Sequence, residues 1–397
     1  MDTRSELQRV RAHSDALFKL VSRETLYERP IPDRHRLIFY VGHLEAFDWN
    51  QLARTIHGMA SFDTDFDRLF EAGIDPVPGQ AASDEASDWP RLEAVLQYVA
   101  RTRSAIDEIW EQLPSDRRQM VIEHRWMHAE TLCYLLFQLA PELKRRPAVA
   151  NSVNAPAQAQ RFVSIPAGTA HLGQIDGSFG WDNEFPEHRQ SVEAFEIAQH
   201  KVTNAEYLRF VEAGGAAPLM WRQRNGVWWV RRMFDEVPLP LTAPVYATHQ
   251  QARAYALWAG ADLPSEAQWH RAAYGDSDRR FPWGNALPHG EHGNFDFADW
   301  DPVGVTAFEA GDSAYGVSQM MGNGWEWTST PFGPFEGFKA HSYYPGYSSN
   351  FFDDDHYVLK GASPVTSRTL LRRSFRNWFR ADYPYVYSTI RLVRPAN

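Results

Sequence analysis

The chain changes character near residue 160, and that change limits what it can fold into more than any other feature of the sequence. Segments 4–22, 34–57, 90–112 and 115–141 carry apolar residues at three- and four-residue spacing with few glycines, which predicts helices. Four helices of this length suggest an antiparallel bundle, whose interior is a usual place for a metal site. Pro114 ahead of Ser115 and Asp116 marks the start of the fourth. The run GIDPVPGQAASDEASDWP (73–90) reads as a long loop and RPAVANSVNAPAQAQ (146–160) as a linker. From 161 onward, short apolar runs alternate with Gly, Pro, Asn and Asp clusters, and helical patterns shrink to about 203–213, 249–259 and 264–274. A chain of 397 residues also exceeds one ordinary core. The expectation is an α+β protein of two domains, 1–150 helical and 151–397 held by loops and aromatics with little regular secondary structure.

Charge removes several classes of partner. A formal charge of -10 argues against nucleic acid and anionic membrane surfaces, which require clustered Lys and Arg. No stretch approaches the roughly 20 apolar residues of a membrane span. MDTRSELQRVRAH at the start lacks the apolar core of a signal peptide. A single cysteine excludes an internal disulfide, and the expected setting is a reducing cytoplasm. Cys133 sits nine residues after His124, on roughly the opposite side of its helix, as a small buried hydrophobe would.

The chemistry is carried by histidines. In HRWMHAE (124–130), His124 and His128 are four apart on the fourth helix, so both imidazoles leave one face and one ion can bridge them. Two helical histidines need a third ligand from elsewhere. His43, in FYVGHLEAFDW, has the best context because Tyr40, His43 and Phe47 share a face, with His35 and His57 as competitors on the same segment. Spacing alone also allows a hydrogen-bonded structural pair. Glu130 falls off the His124/His128 face and is placed as a partner behind the ligands.

These residues resemble the iron sulfoxide synthases of ergothioneine biosynthesis, which join a DinB-like four-helix bundle to a domain similar to the formylglycine-generating enzyme, a C-type-lectin-like fold. FVSIPAGTAHLG (162–173), FPWGN (281–285), MMGNGWEWTSTPF (320–332) and FRNWFRADYPYVYSTIRLV (375–393) follow the pattern of that second domain in order. The resemblance implies iron(II) on His43, His124 and His128, with dioxygen, hercynine (the betaine of histidine) and a thiol as substrates, in a site expected where the two domains meet. Zinc would bind the same ligands but cannot perform this oxidation. A family tyrosine within Y-x-x-Y-S supplies a proton near the iron. YPGYS places it at Tyr344, with Tyr347 second and Tyr343 leaving the register open by one. Asn377 and Trp378 of the R-N-W motif are implied in hercynine binding. Trp378, Tyr344, Tyr347 and Trp325 can offer aromatic faces to its quaternary ammonium, although core packing is the preferred role for Trp325.

Three departures bear on the second substrate. Where family members that use gamma-glutamylcysteine have an Asp after R-N-W, this chain has Phe379. Their carboxylate-clamping arginines have no counterpart in GQAASDEASD (79–88), and a family Gln becomes Met127. All three favour a neutral donor. They point to the selenoneine synthases, a branch of the family that couples hercynine to a selenosugar, ahead of a thiol-using ergothioneine-type synthase. A formylglycine-generating enzyme needs a cysteine pair that is absent here. A non-catalytic lectin-like binding module or a zinc hydrolase on the bundle site would fit the folds without the oxygen chemistry.

Overall fold

A computed structural model describes residues 2–71, 84–147 and 159–396. The loop expected at 73–90 and the linker expected at 146–160 lie largely outside these. The chain divides into two compact units, Met1–Val149 and Ala150–Asn397.

The first unit is helical. Its elements are α1 (Thr3–Phe18), α2 (Leu37–Asp48), α3 (Thr64–Leu69), α4 (Leu92–Ile109) and α5 (Ser115–Gln138). α1 packs on α5, and α2 on α4 and α5. Every residue of α2 is buried, so it has no solvent face to display an amphipathic stripe. α2 continues into a π-helical turn, Trp49–Arg54, closed by the Thr55 N–H donating to the Asn50 carbonyl at 3.2 Å.

A charge network crosses all four long helices. Arg125 on α5 is fully buried and donates to Glu45 and Asp48 on α2 and to the Leu44 carbonyl. Glu45 also accepts from Arg103 on α4, which makes a bidentate pair with Asp15 on α1 at 2.8 Å. Burial alone would raise the Glu45 carboxyl, but Arg125 and Arg103 hold it down at about 2.

The second unit is mixed. Its helices are α6 (Asn204–Glu212), α7 (His249–Trp258) and α8 (Glu266–Tyr274), each opened by a Thr or Ser whose side chain accepts from the third helical N–H. Its strands are β1 (Phe162–Ile165), β2 (Gly168–Leu172), β3 (His188–Val192), β4 (Phe195–Ala198), β5 (Trp221–Arg224), β6 (Val227–Arg231), β7 (Glu236–Pro238), β8 (Gly324–Pro331), β9 (His356–Ala362), β10 (Asn377–Arg380), β11 (Ser388–Thr389) and β12 (Val393–Pro395). They form sheets ordered β1-β4-β12, β10-β9-β8-β11, β2-β3 and β5-β6-β7. Regular sheet is therefore more extensive than the punctuated sequence suggests. Most strands span two to five residues, too short to show a period, but β8 and β9 reach eight and seven.

β8 is the anchor of this unit. Gly324 has φ +129°, and a Cβ there would lie 2.3 Å from Thr389 Cγ2, so the entry to the strand requires glycine. Trp325 and Trp327 are buried in the core, and between them Glu326 accepts from Lys201, Trp269 and Arg391. Burial would raise the Glu326 carboxyl, but Arg391 and Lys201 hold it at about 2. A depressed carboxyl contributes stability above its unfolded pKa, near 4.5, and loses it as pH falls toward 2. Glu326→Gln should therefore cost about 3 kcal/mol at pH 7 and flatten stability between pH 4.5 and 2. Urea unfolding at stepped pH checks both.

Among the described residues, no helix is long and apolar enough to cross a membrane.

Candidate metal centre

Two neighbouring helices bring three histidines together. His124 and His128 leave α5 one turn apart, and His43 faces them from α2. Their ligand atoms all lie within 4.8 Å of one another, and all three side chains are buried. His128 Nε2 is 3.1 Å from both His43 Nε2 and His124 Nε2. Aromatic rings fix the imidazole planes. Phe39 stacks on His43 at 4.8 Å, Phe47 on His124 at 3.5 Å, and Tyr40 sits 5.9 Å from His128.

Tautomer follows from hydrogen bonding. His43 Nδ1–H donates to the Phe70 carbonyl at 2.6 Å, which leaves its Nε2 lone pair facing the other two rings. Nδ1 of His124 and of His128 are buried without a hydrogen-bond partner. Burial pushes His43 down to about 4, against the opposing pull of the Phe70 carbonyl. Burial, reinforced by the neighbouring histidines, holds His124 and His128 well below the usual range. All three are neutral at pH 7, the form that binds metal.

The spacing is compatible with one bound ion. With metal–nitrogen bonds of about 2.1 Å, a tetrahedral angle requires nitrogens roughly 3.4 Å apart. The two edges that meet at His128, each 3.1 Å, correspond to angles of roughly 95° at an ion bound by those pairs. A neutral imidazole trio suits iron, zinc or copper by ligand type, and three protein ligands leave positions open for reactants. The residues fit a redox-active ion.

The competing histidines stand apart from this cluster. His35 lies against Phe39 in a tilted contact at 4.2 Å, and His57 is exposed. Glu130 accepts from the Tyr134 hydroxyl four residues on and bonds none of the three imidazoles, so its expected place behind the ligands falls instead to the Phe70 carbonyl. Nothing in the sequence near Phe70 signals that role. Met127 is half-buried on α5 beside His128. Cys133 is fully buried, and burial pushes its thiol up.

The remaining predicted residues lie in the second unit, where several form an aromatic group. Tyr344 and Tyr347 belong to the segment between β8 and β9, with ring centroids 5.5 Å apart. Tyr347 stacks on Trp181 at 4.1 Å and meets the edge of Trp378 at 5.4 Å, and Trp378 stacks on Phe332 at 4.3 Å. Ser348, next to Tyr347, is buried and donates to Asp182 while accepting from Asn183 at 3.0 Å, which pins this segment. Burial, with Asp182 adding to it, raises the Tyr344 phenol, so it stays protonated at neutral pH. Asn377 and Phe379 lie on β10. The Asn377 Oδ1 accepts from the Trp378 N–H at 2.9 Å, and Phe379 stacks on Tyr383 at 5.1 Å. Trp325 does not join this group. At 1% exposure it is packed in the core with no face left for a substrate. Trp181 was not foreseen, since a lone tryptophan after a Gly-rich run carries no signal of its own.

Known proteins agree with this division of the chain. Residues 148–396 match the sulfatase-modifying factor enzyme 1-like domain. The chain is 34% identical to the hercynine oxygenase of Mycolicibacterium smegmatis over 327 residues, covering 74% of this chain and 75% of that protein. It is 35% identical to the hercynine oxygenase of Mycobacterium tuberculosis over 328 residues, 75% of this chain and 76% of that protein. Ergothioneine biosynthesis protein 1 of Neurospora crassa is 27% identical, with 95% of this chain aligned to 56% of that protein. The second unit is thus a sulfatase-modifying-factor-type domain carried behind a helical unit. The chain belongs to the hercynine oxygenase family of ergothioneine biosynthesis.

Proposed function

We propose that this chain is an iron(II)- and oxygen-dependent enzyme that joins a chalcogen donor to the imidazole carbon of hercynine. The reading is carried by three neutral, buried imidazoles whose ligand atoms converge within 4.8 Å of one another in a chain of this family. His43, His124 and His128 would hold the ion, on a helical unit of DinB-like type. Bound iron supplies dioxygen chemistry that zinc cannot. The chain's own residues do the rest. Trp378 and Tyr347 offer ring faces to a quaternary ammonium, with Trp181 stacked behind Tyr347, and Asn377 and Met127 belong to the same substrate set. Tyr344 holds a proton on its phenol for delivery to the reacting centre.

Two donors are distinguished. The names of the relatives, hercynine oxygenase and ergothioneine biosynthesis protein 1, support the ergothioneine-type reading over the other; in that reading the donor would be a thiol such as gamma-glutamylcysteine or cysteine. A selenosugar, with carbon–selenium bond formation, is favoured by three sequence positions, Phe379, the arginine-free stretch 79–88 and Met127. Phe379 is stacked on Tyr383, and Asp84 in the acidic stretch is itself held by Arg29 and Arg36. Iron-loaded protein given hercynine and oxygen with each donor in parallel, and products read by mass spectrometry, separates them. Adduct formation with a thiol supports the first donor and with the selenosugar the second. No oxygen-dependent adduct with any donor removes the proposed activity.

Tyr344→Phe should shift product away from the carbon–chalcogen adduct toward simple oxygenation of the donor, by about 10²-fold or more in the ratio. Chromatographic product ratios check this, and an unchanged ratio takes Tyr344 out of the mechanism.

A further inference from the structure

The third histidine is aimed by a piece of backbone. His43 Nδ1–H donates to the carbonyl of Phe70, the residue that ends α3. That carbonyl is where it is because the Phe70 ring is seated against the α2 backbone at Gly42. A Cβ on Gly42 would lie 2.5 Å from three atoms of the Phe70 ring, which is itself 0% exposed and cannot swing away. The other end of the seat is Asp67, one turn earlier on α3. It is 2% exposed and accepts from Trp49 Nε1 at 3.1 Å and from the Tyr98 hydroxyl at 2.9 Å. The Asp67 carbonyl also accepts from Asn50 at 3.4 Å, so the π-helical turn after α2 clasps the short helix. Six residues of helix would not hold by themselves. Here tertiary contacts at both ends hold them.

We propose that Gly42 and Asp67 are positioning residues for the metal centre: together they seat Phe70 so that its carbonyl fixes the tautomer and tilt of His43 and turns Nε2 toward His124 and His128. This rests on the three-histidine reading above. Neither residue touches the ion. Each acts through Phe70 and then His43, and partners behind a ligand commonly change metal affinity by about 10- to 100-fold.

The test is anaerobic titration of metal-free protein with Fe(II), and with Co(II) as a probe whose ligand-field absorption reports coordination. Gly42→Ala should weaken binding about 10- to 100-fold and shift the Co(II) bands, with far-ultraviolet circular dichroism unchanged. Asp67→Asn loosens the other end without overpacking and should move both readouts the same way, and it stands as the test should Gly42→Ala not fold. In a double-mutant cycle, Phe70→Ala should absorb the effect of Gly42→Ala, because the methyl then has room. Unchanged affinity and bands in folded variants, or losses that simply add, would overturn the inference. Absence of metal binding by the unaltered protein would instead remove the centre itself, which keeps the two failures distinct.

Discussion

His128→Ala should leave a folded protein that no longer retains iron and shows no oxygen-dependent turnover of hercynine. His128 is the hinge of the trio, since its Nε2 lies 3.1 Å from each of the other two, which makes their approach to one another conditional on it. Removing a partner behind a ligand costs about 10- to 100-fold in affinity, and removing the ligand itself costs more. Folding should survive, because the ring is replaced by a methyl in a helix whose packing is secured by the fifteen other buried positions of α5 and by the Arg125 network. Metal analysis after desalting and thermal unfolding of the metal-free form are the paired measurements. Retained iron at one per chain would contradict the assignment of His128.

Arg125→Ala should have the largest effect on stability. The guanidinium is 0% exposed and is shared by Glu45 and Asp48, which are 1% and 0% exposed. Removing it leaves two buried carboxyls without their main partner, and breaking a buried pair by deleting one member costs about 3–5 kcal/mol. Net stabilities of domains are only about 5–15 kcal/mol, so the loss would consume much of the margin. The position also has a functional side. Arg125 follows His124 directly and ties α5 to the α2 residues that follow His43, so the helices that carry the three imidazoles are held in register by this group. Chemical denaturation of metal-free protein should show the midpoint fall, and added Fe(II) should recover part of the loss through linkage. A midpoint unchanged within error would mean the network is energetically neutral.

Much of this arrangement is legible in the residues. The four-residue spacing of His124 and His128 needs only helix geometry, and His43 stands out by the aromatics one turn away on its face. The three helices of the second unit fall within a residue or two of their expected bounds because each has both a Thr or Ser start and an apolar period. What sequence reasoning missed is tertiary in origin. α3 is six residues long and owes its existence to Asp67, whose partners Trp49 and Tyr98 are 18 and 31 residues away. The Phe70 carbonyl is a backbone group, which no residue pattern announces. Arg125, Glu45 and Asp48 look like solvated charges on helices until the helices pack, since charge is buried only when its partners arrive with it. Trp181 joins Tyr347 from 166 positions away, through a segment pinned by Ser348 and Asp182.

X-ray absorption of the anaerobic Fe(II)-loaded protein should show one iron per chain with three imidazole nitrogens at about 2.1 Å and the remaining neighbours light oxygen atoms, a pattern reduced by one imidazole in His43→Ala. An iron shell with fewer than three imidazoles in the unaltered protein, or one unchanged by that substitution, would contradict the three-histidine centre.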